Sequence, residues 1–261
     1  MPGTRQNAAA FCIVLLTAAT LLAGCRQPND REVQALEADV HTLAREDRIY
    51  WLQQHTNSAN PAFTFLLGKT LLEDYHLADG FKLIEASLAP GFEPGLHYAA
   101  KMLATGDGIV PNATRAAAYY DAAAKLGNPV TQYEAAIYRA LGPTNINDPA
   151  KAIHWFTLAA NQGHAESCYQ LGRTYHQGRY LPKNEARANY YLKKAAATGH
   201  AGAQYELGRV LFLQKPTNNT VAIAWFAKAA ANGNPQAKAV LAALARPSAT
   251  KTPPAGLPAT N

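Results

Sequence analysis

Few groupings of residues in this 261-residue chain have the types and spacing that chemistry needs. Leu67-Gly68-Lys69-Thr70 matches the end of a phosphate-binding loop, but the glycine required five residues before Gly68 is Phe63, and the surrounding stretch reads as helix. His164 and His200 hold the same post-glycine site in consecutive copies of a repeat. Stacked helices stand about 8–10 Å apart while zinc ligands sit ~2.1 Å from the ion, so a shared metal is not expected and both read as solvent-facing turn residues. Cys168 aligns with Gln132 and Gln204, a site that tolerates polarity and leaves partial exposure open, and it reads as a buried or idle thiol, with a mixed disulfide to a partner as the alternative. His-Glu-x-x-His, Gly-x-Ser-x-Gly and Cys-x-x-Cys are all absent from the sequence, and no catalytic residue, metal ligand or cofactor is expected. The set with the character of a binding surface is Tyr133, Tyr169 and Tyr205, spaced by 36, with Ile137, Arg173 and Arg209 one helical turn later. Tyrosine and arginine are favoured anchors at interfaces. The tyrosines either wedge between adjacent helices or form an exposed ladder with the arginines. On the second reading, reversing Arg173 and Arg209 to Glu removes partner capture without unfolding the chain.

The elements that position these residues follow a ruler. Gly91, Gly127, Gly163 and Gly199 are 36 apart and Gly233 follows after 34, while Leu83, Tyr119, Trp155, Tyr191 and Trp225 keep the same steps. A period of this length is one supersecondary unit used repeatedly, each copy burying its apolar face on its neighbours, which predicts a solenoid. Helical spacing assigns the aromatic series to the core between repeats. Within a unit, Ala165 to Gln177 and Glu185 to Thr198 read as helices joined by a turn. Asn60-Pro61, Asn128-Pro129 and Asn234-Pro235 start first helices, and Asn112, Asp148, Asn184 and Asn219 are the expected caps of second helices. Pro111, Pro143, Pro182 and Pro216 fall in the turns between. Gly68, Ala100, Ala136, Gly172 and Gly208 keep one position small, which lets two helix backbones approach. Five pairs are expected, starting near residues 60, 92, 128, 164 and 200, with Pro235 to Ala245 as a capping half-repeat and a Pro-rich, disordered tail over 246–261.

The ends carry address signals. Arg5 precedes an apolar run from Ala8 to Ala23, too short for a membrane span of ~20 residues, and Leu22-Ala23-Gly24-Cys25 follows. Those four residues resemble the lipobox of bacterial lipoproteins. By that resemblance residues 1–24 are a signal peptide, Cys25 becomes the lipidated N-terminus, and 25–29 form a tether. Arg26 is not the aspartate that retains many such proteins on the inner membrane, so the outer membrane, facing the periplasm, is the expected address. Removing residues 1–24 takes away only Arg5 among charged side chains, leaving 23 Lys and Arg against 18 acids, about +5. That charge is spread along the repeats, and nucleic acid is not an expected partner. With Cys12 lost and Cys25 lipidated, Cys168 has no partner for an intramolecular disulfide. Asp30 to Gln54 lacks Gly and Pro and reads as one N-terminal helix within 30–56. Its stripe Val33, Leu36, Val40, Leu43 either packs on the first repeat as a cap or pairs with another protein.

Cys168-Tyr-Gln-Leu-Gly-Arg-Thr-Tyr-His-Gln-Gly178, followed by Asn184 to Gly199 with its Tyr-Tyr-Leu-Lys-Lys-Ala-Ala-Ala, resembles the Sel-one-like repeat. Lys151 to Gly163, Trp225 to Gly233 and the turn Gly106-Asp107-Gly108 repeat parts of the pattern. The likeness covers roughly 60–245 and is weakest in the first pair, where Leu83-Ile84 replaces the aromatics. It implies an all-α, right-handed α/α solenoid of about five helix-turn-helix repeats with helical caps, related to tetratricopeptide arrays. It also implies a chain that is not an enzyme and that holds envelope or secreted proteins. A scaffold or regulator of the cell envelope is the leading expectation, and an immunity protein neutralising a secreted toxic effector such as a lipase is the alternative.

Overall fold

The computed structural model describes residues 27–56, 60–214 and 219–245. Residues 1–24, expected as a signal peptide, and Cys25, Pro216 and the 246–261 tail lie outside the described residues. Thirteen α-helices and no strands are present among those described: α1 Asp30–Val40, α2 Arg45–His55, α3 Pro61–Glu73, α4 Leu77–Ala86, α5 Glu93–Thr105, α6 Ala113–Ala124, α7 Pro129–Leu141, α8 Pro149–Asn161, α9 Ala165–Gln177, α10 Glu185–Ala197, α11 Ala201–Gln214, α12 Thr220–Ala231 and α13 Pro235–Leu244. No described helix is long and apolar enough to cross a membrane. The chain divides into two compact units, one ending at Asn147 and one beginning at Asp148.

The N-terminal unit holds α1 to α7, and its first 30 residues of structure depart from expectation. The single helix expected over Asp30–Gln54 is two helices, broken at residues 41–44 without a Gly or Pro. Local side chains end it: His41 Nδ1 lies 2.7 Å from the Glu37 carbonyl, and Thr42 Oγ1 donates to the Asp39 carbonyl at 2.6 Å. Such side-chain bonds compete with continuation of the helix ladder. Glu46 and Asp47 then favour a new helix start at Arg45, because carboxylates complement the positive end of the helix dipole. The stripe Val33, Leu36, Val40 and Leu43 is buried in the unit's own core with Trp51, Leu52, Phe63 and Ile84. Burial of each large side chain contributes about 1.5–3 kcal/mol. The stripe is therefore covered by its own chain, as a cap, and is not open for a coiled coil.

In each unit the repeats are helix pairs, α3 on α4 and α5 on α6 in the first, α9 on α10 and α11 on α12 in the second. The small landmark explains how closely they pack. A Cβ added at Gly172 would stand 2.7 Å from Leu192 Cγ, and one at Gly68 would stand 2.9 Å from the Gly80 carbonyl oxygen. The glycine ruler holds at the opposite ends of the pairs, where Gly91, Gly127, Gly163, Gly199 and Gly233 have φ between +86° and +99°. Only glycine adopts that conformation without a Cβ penalty.

The residue after each ruler glycine is the next helix's N-cap. Asn128 and Asn234 accept there from Val130 and Ala237 amides, and Asn60 does the same for Ala62. Asn112, Asp148 and Asn184 cap second helices as expected, whereas Asn219 occupies the cap position of α12 without a side-chain capping bond. The aromatic series needs a shift of one residue. Trp155 is buried, but Leu83, Tyr119, Tyr191 and Trp225 are only half-buried, while their successors Ile84, Tyr120, Phe156, Leu192 and Phe226 are all buried. The ruler's aromatic marks the edge of the core and its successor fills it. In the C-terminal unit, α13 closes α12 through Val240 and Ala237, which pack with Phe226 and Phe212.

Candidate protein-binding face

The six residues expected on the binding face all lie on first helices. In the N-terminal unit Tyr133 and Ile137 sit one turn apart on α7, both half-buried. Between them, Glu134 turns to α5, where its Oε2 lies 2.5 Å from His97 Nε2. Bonding to His97 holds the Glu134 carboxyl below its usual range. Burial pushes the His97 imidazole down, but Glu134, Glu93 and Asp30 outweigh it and the net direction is up.

In the C-terminal unit the two rungs differ. Tyr169 on α9 packs its ring at 4.5 Å from the His200 ring, and its Cζ would stand 3.1 Å from a Cβ added at Gly202. The tyrosine thus wedges against the start of α11. Arg173, one turn on, is exposed, with its guanidinium 5.6 Å above the Tyr169 ring, and no carboxylate pairs with it among the described residues. The wedge and the exposed ladder coexist at this rung. Tyr205 packs on Phe226 at 5.7 Å, inside its own helix pair. Arg209 departs from expectation, being only 9% exposed. Its Nε donates to Glu206 Oε2 at 2.8 Å, and its Nη2 lies 3.1 Å from His176 Nε2. The other His176 nitrogen meets Glu185 Oε2 at 3.0 Å. Arg209 is the centre of a polar network that joins α11 to α9, and reversing it would set a buried Glu against Glu206. The pairing of Arg173 with Arg209 as equivalent free anchors is corrected accordingly.

His164 and His200 are not solvent-facing turn residues. Both are half-buried N-caps, accepting from the amides of Ser167 and Ala203. The Ala203 bond requires an unprotonated His200 Nδ1, so Nε2 carries the hydrogen that it donates to Glu166 Oε2 at 2.6 Å. That bond first, with help from Gln170, holds the Glu166 carboxyl below its usual range against the opposing effect of burial. Cys168 is fully buried, in line with the reading of a buried or idle thiol and without the partial exposure its alignment left open, and burial pushes its thiol up and away from the reactive thiolate. Lys69, the lysine of the phosphate-loop likeness, pairs with Glu37 and lies over the Phe65 and Tyr98 rings. The described residues contain no grouping of three or more His, Cys, Asp or Glu able to hold a metal ion.

Sequence reasoning missed the polar network of Arg209, although Glu206 three residues earlier was a visible signal: one helical turn places the two side chains together. At Arg173 the corresponding residue is Gln170, which bonds Glu166 instead.

Comparison with known proteins agrees with this architecture. The Sel1 repeat matches at residues 94–128, 131–164, 165–200 and 201–234. Among solved structures, a Sel1 repeat protein from Oxalobacter formigenes superposes with a TM-score of 0.64 at 23% identity, covering 86% of this chain and 94% of that one. The protein c5321, a protective antigen present in uropathogenic Escherichia coli strains with an SLR fold, follows at 0.56 and 20% identity, covering 89% and 59%. Immunity protein Pa5087 from Pseudomonas aeruginosa gives 0.44 at 18% identity, covering 87% and 75%. At these identities the likeness bears on fold, and a TM-score below 0.5 carries no argument. No curated protein matches the chain in sequence. The pair α3–α4 lies outside the four matched repeats but folds as a helix pair in the same manner. With four matched copies over more than half its length, in an all-α architecture of stacked helix pairs, the chain belongs to the Sel1 repeat family.

Proposed function

We propose that this protein is a lipid-anchored scaffold or regulator of the bacterial envelope that holds a protein partner on the faces of its first helices. The observation that carries the reading is the Tyr169–Arg173 rung, an exposed guanidinium lying over a wedged tyrosine. A fixed aromatic base lowers the entropy lost when the arginine engages a carboxylate or a carbonyl, which is why such pairs serve as anchors. Tyr133 and Ile137 hold the equivalent repeat positions on α7 of the N-terminal unit. Tyr205 and Arg209 support the face from within. The membrane address rests on Leu22-Ala23-Gly24-Cys25 and on the uncharged run before it. An N-terminus carrying two or more acyl chains stays on the bilayer, since each buried methylene contributes roughly 0.8 kcal/mol.

The test combines two variants in the native host. Cys25→Ser is expected to abolish incorporation of labelled palmitate and to release the protein from membranes, and unchanged labelling would contradict the anchor. Arg173→Glu is expected to lose the co-purifying partner while keeping the wild-type helical spectrum and melting curve. Undiminished co-purification would contradict the binding face. Neutralisation of a secreted toxic effector is a narrower role on the same face, separated by whether the purified protein inhibits such an enzyme.

A further inference from the structure

The C-terminal unit carries a second surface, on α9 and α10, that the first-helix face does not use. Residues 175–194 hold five Lys and Arg, at 179, 183, 187, 193 and 194, against the single acid Glu185. That is a formal +4 within 20 residues of a chain whose whole charge is +6. Its centre is Arg187. The guanidinium lies 5.5 Å above the Tyr175 ring and donates from Nη1 to the Tyr175 hydroxyl at 3.1 Å. Tyr175 stacks on Tyr191 with ring planes 1° apart, and the exposed Tyr190 stands edge-on to Tyr191.

The repeat register shows what this arrangement lacks. Arg115 occupies the same position two ruler steps earlier, and both arginines are the third residue of a second helix capped by Asn. Arg115 reaches back to the Glu85 carboxylate on the preceding second helix and meets Tyr119, whose hydroxyl donates to Glu85 at 3.3 Å. Two steps on, Tyr119 becomes Tyr191 and Glu85 becomes Thr157. Thr157 lies on α8, which adjoins α10 through Lys194 Nζ at 2.6 Å from the Ala160 carbonyl. Its hydroxyl is turned to its own helix, donating to Ile153 at 2.7 Å. Among the described residues no carboxylate pairs with Arg187, whereas Arg45, Arg48, Arg115 and Arg139 each meet one.

We infer that Arg187, framed by Tyr175, Tyr190 and Tyr191, is a docking site for a Glu or Asp side chain on an acidic segment of a partner protein. The incoming carboxylate takes the place that Glu85 fills for Arg115. A planar guanidinium fork matches a carboxylate bidentately, and Tyr175, itself stacked on Tyr191, holds the fork in place. The four other cations add long-range attraction. An anionic lipid surface reads the count of positive charges and is indifferent to a single fork, so Arg187 specificity favours the protein partner.

Fluorescence anisotropy of the mature full-length protein with a fluorescein-labelled acidic dodecapeptide of Glu, Asp and Gly tests this. The neutral Gln/Asn analogue and phosphatidylglycerol vesicles serve as comparisons. The acidic peptide is expected to bind and the neutral one not. Arg187→Lys, which keeps the charge and loses the fork, and Thr157→Glu, which supplies the missing partner internally, are each expected to weaken binding by about tenfold or more with an unchanged melting curve. Lys193→Ala, six residues further along the same helix, is expected to cost less than about threefold, as a distant screened charge should. Arg173→Glu leaves peptide binding intact, which separates this site from the first-helix face. Equal losses for Arg187→Lys and Lys193→Ala, undiminished binding by both Arg187→Lys and Thr157→Glu, or binding to vesicles without binding to the peptide would each overturn the inference. Should Thr157→Glu disturb folding, the Arg187→Lys comparison decides.

Discussion

At the scale of single residues, the equivalent positions 132, 168 and 204 show one physical problem solved twice with one chemistry and once with another. Gln132 Nε2 donates to the Ala124 carbonyl at 3.2 Å and Gln204 Nε2 to the Ala196 carbonyl at 3.1 Å. Those carbonyls belong to the last turns of second helices, where they accept from the amide of the ruler glycine three residues on and keep a second lone pair for a side-chain donor. Cys168 stands 3.7 Å from the Ala160 carbonyl, a weak contact, and Lys194 supplies the strong donor from α10 instead. The alignment of Cys168 with two glutamines was thus legible as tolerance of polarity, but its meaning was a buried acceptor rather than exposure to water. Lys194→Ala is expected to destabilise the protein by about 1–2 kcal/mol, because it strips a charge-assisted bond from a helix end. Cys168→Gln in the same background is expected to recover part of that loss by restoring the neighbours' solution. Urea titrations of the wild type, the single variant and the pair measure both effects, and a neutral Lys194→Ala would refute the assignment.

At the scale of elements, the ruler located the helices well because glycine at positive φ and asparagine at N-caps are local requirements that the sequence states directly. The break between α1 and α2 was not legible, since His41 and Thr42 end a helix through side-chain bonds that many helices tolerate. The aromatic landmark was placed one residue off the core because a pair such as Tyr119-Tyr120 offers two candidates and the period cannot choose between them. Links between successive first helices were also hidden, as they join residues 33 to 38 apart. The His97–Glu134 bond is one of these and has a testable pH signature. Glu134 titrates below its ordinary 4.5 when folded, so its contribution is lost as pH falls through that lowered value. His97 titrates above its ordinary 6.5, so its contribution is complete below 6.5 and lost as pH rises through the raised value. The pair is therefore strongest between those limits. With both groups partly solvated, His97→Gln is expected to cost about 0.5–1 kcal/mol near pH 5.5 and less near pH 8.5. A cost that grows with pH would contradict the pairing.

At the scale of the whole molecule, family membership follows from repetition and says little about the partner, because one chassis of stacked helix pairs presents many surfaces. What individualises this chain is where the repeats differ from one another. Arg209 is tied to Glu206 while Arg173 pairs with no carboxylate among the described residues, and Arg115 has Glu85 while Arg187 has Thr157 in that register. Such differences are visible in the sequence only once the structure says which positions face each other. On the proposed function, a protein partner rests on the first-helix face at the Tyr169–Arg173 rung. A photocrosslinking amino acid placed at position 173, with a control at the exposed Ala227 on α12, tests it in living cells of the native host. A defined crosslinked product in the envelope fraction from position 173, and none from position 227, is the expected result. Absence of a product at 173, or the same product from both positions, would rule out a partner at this rung.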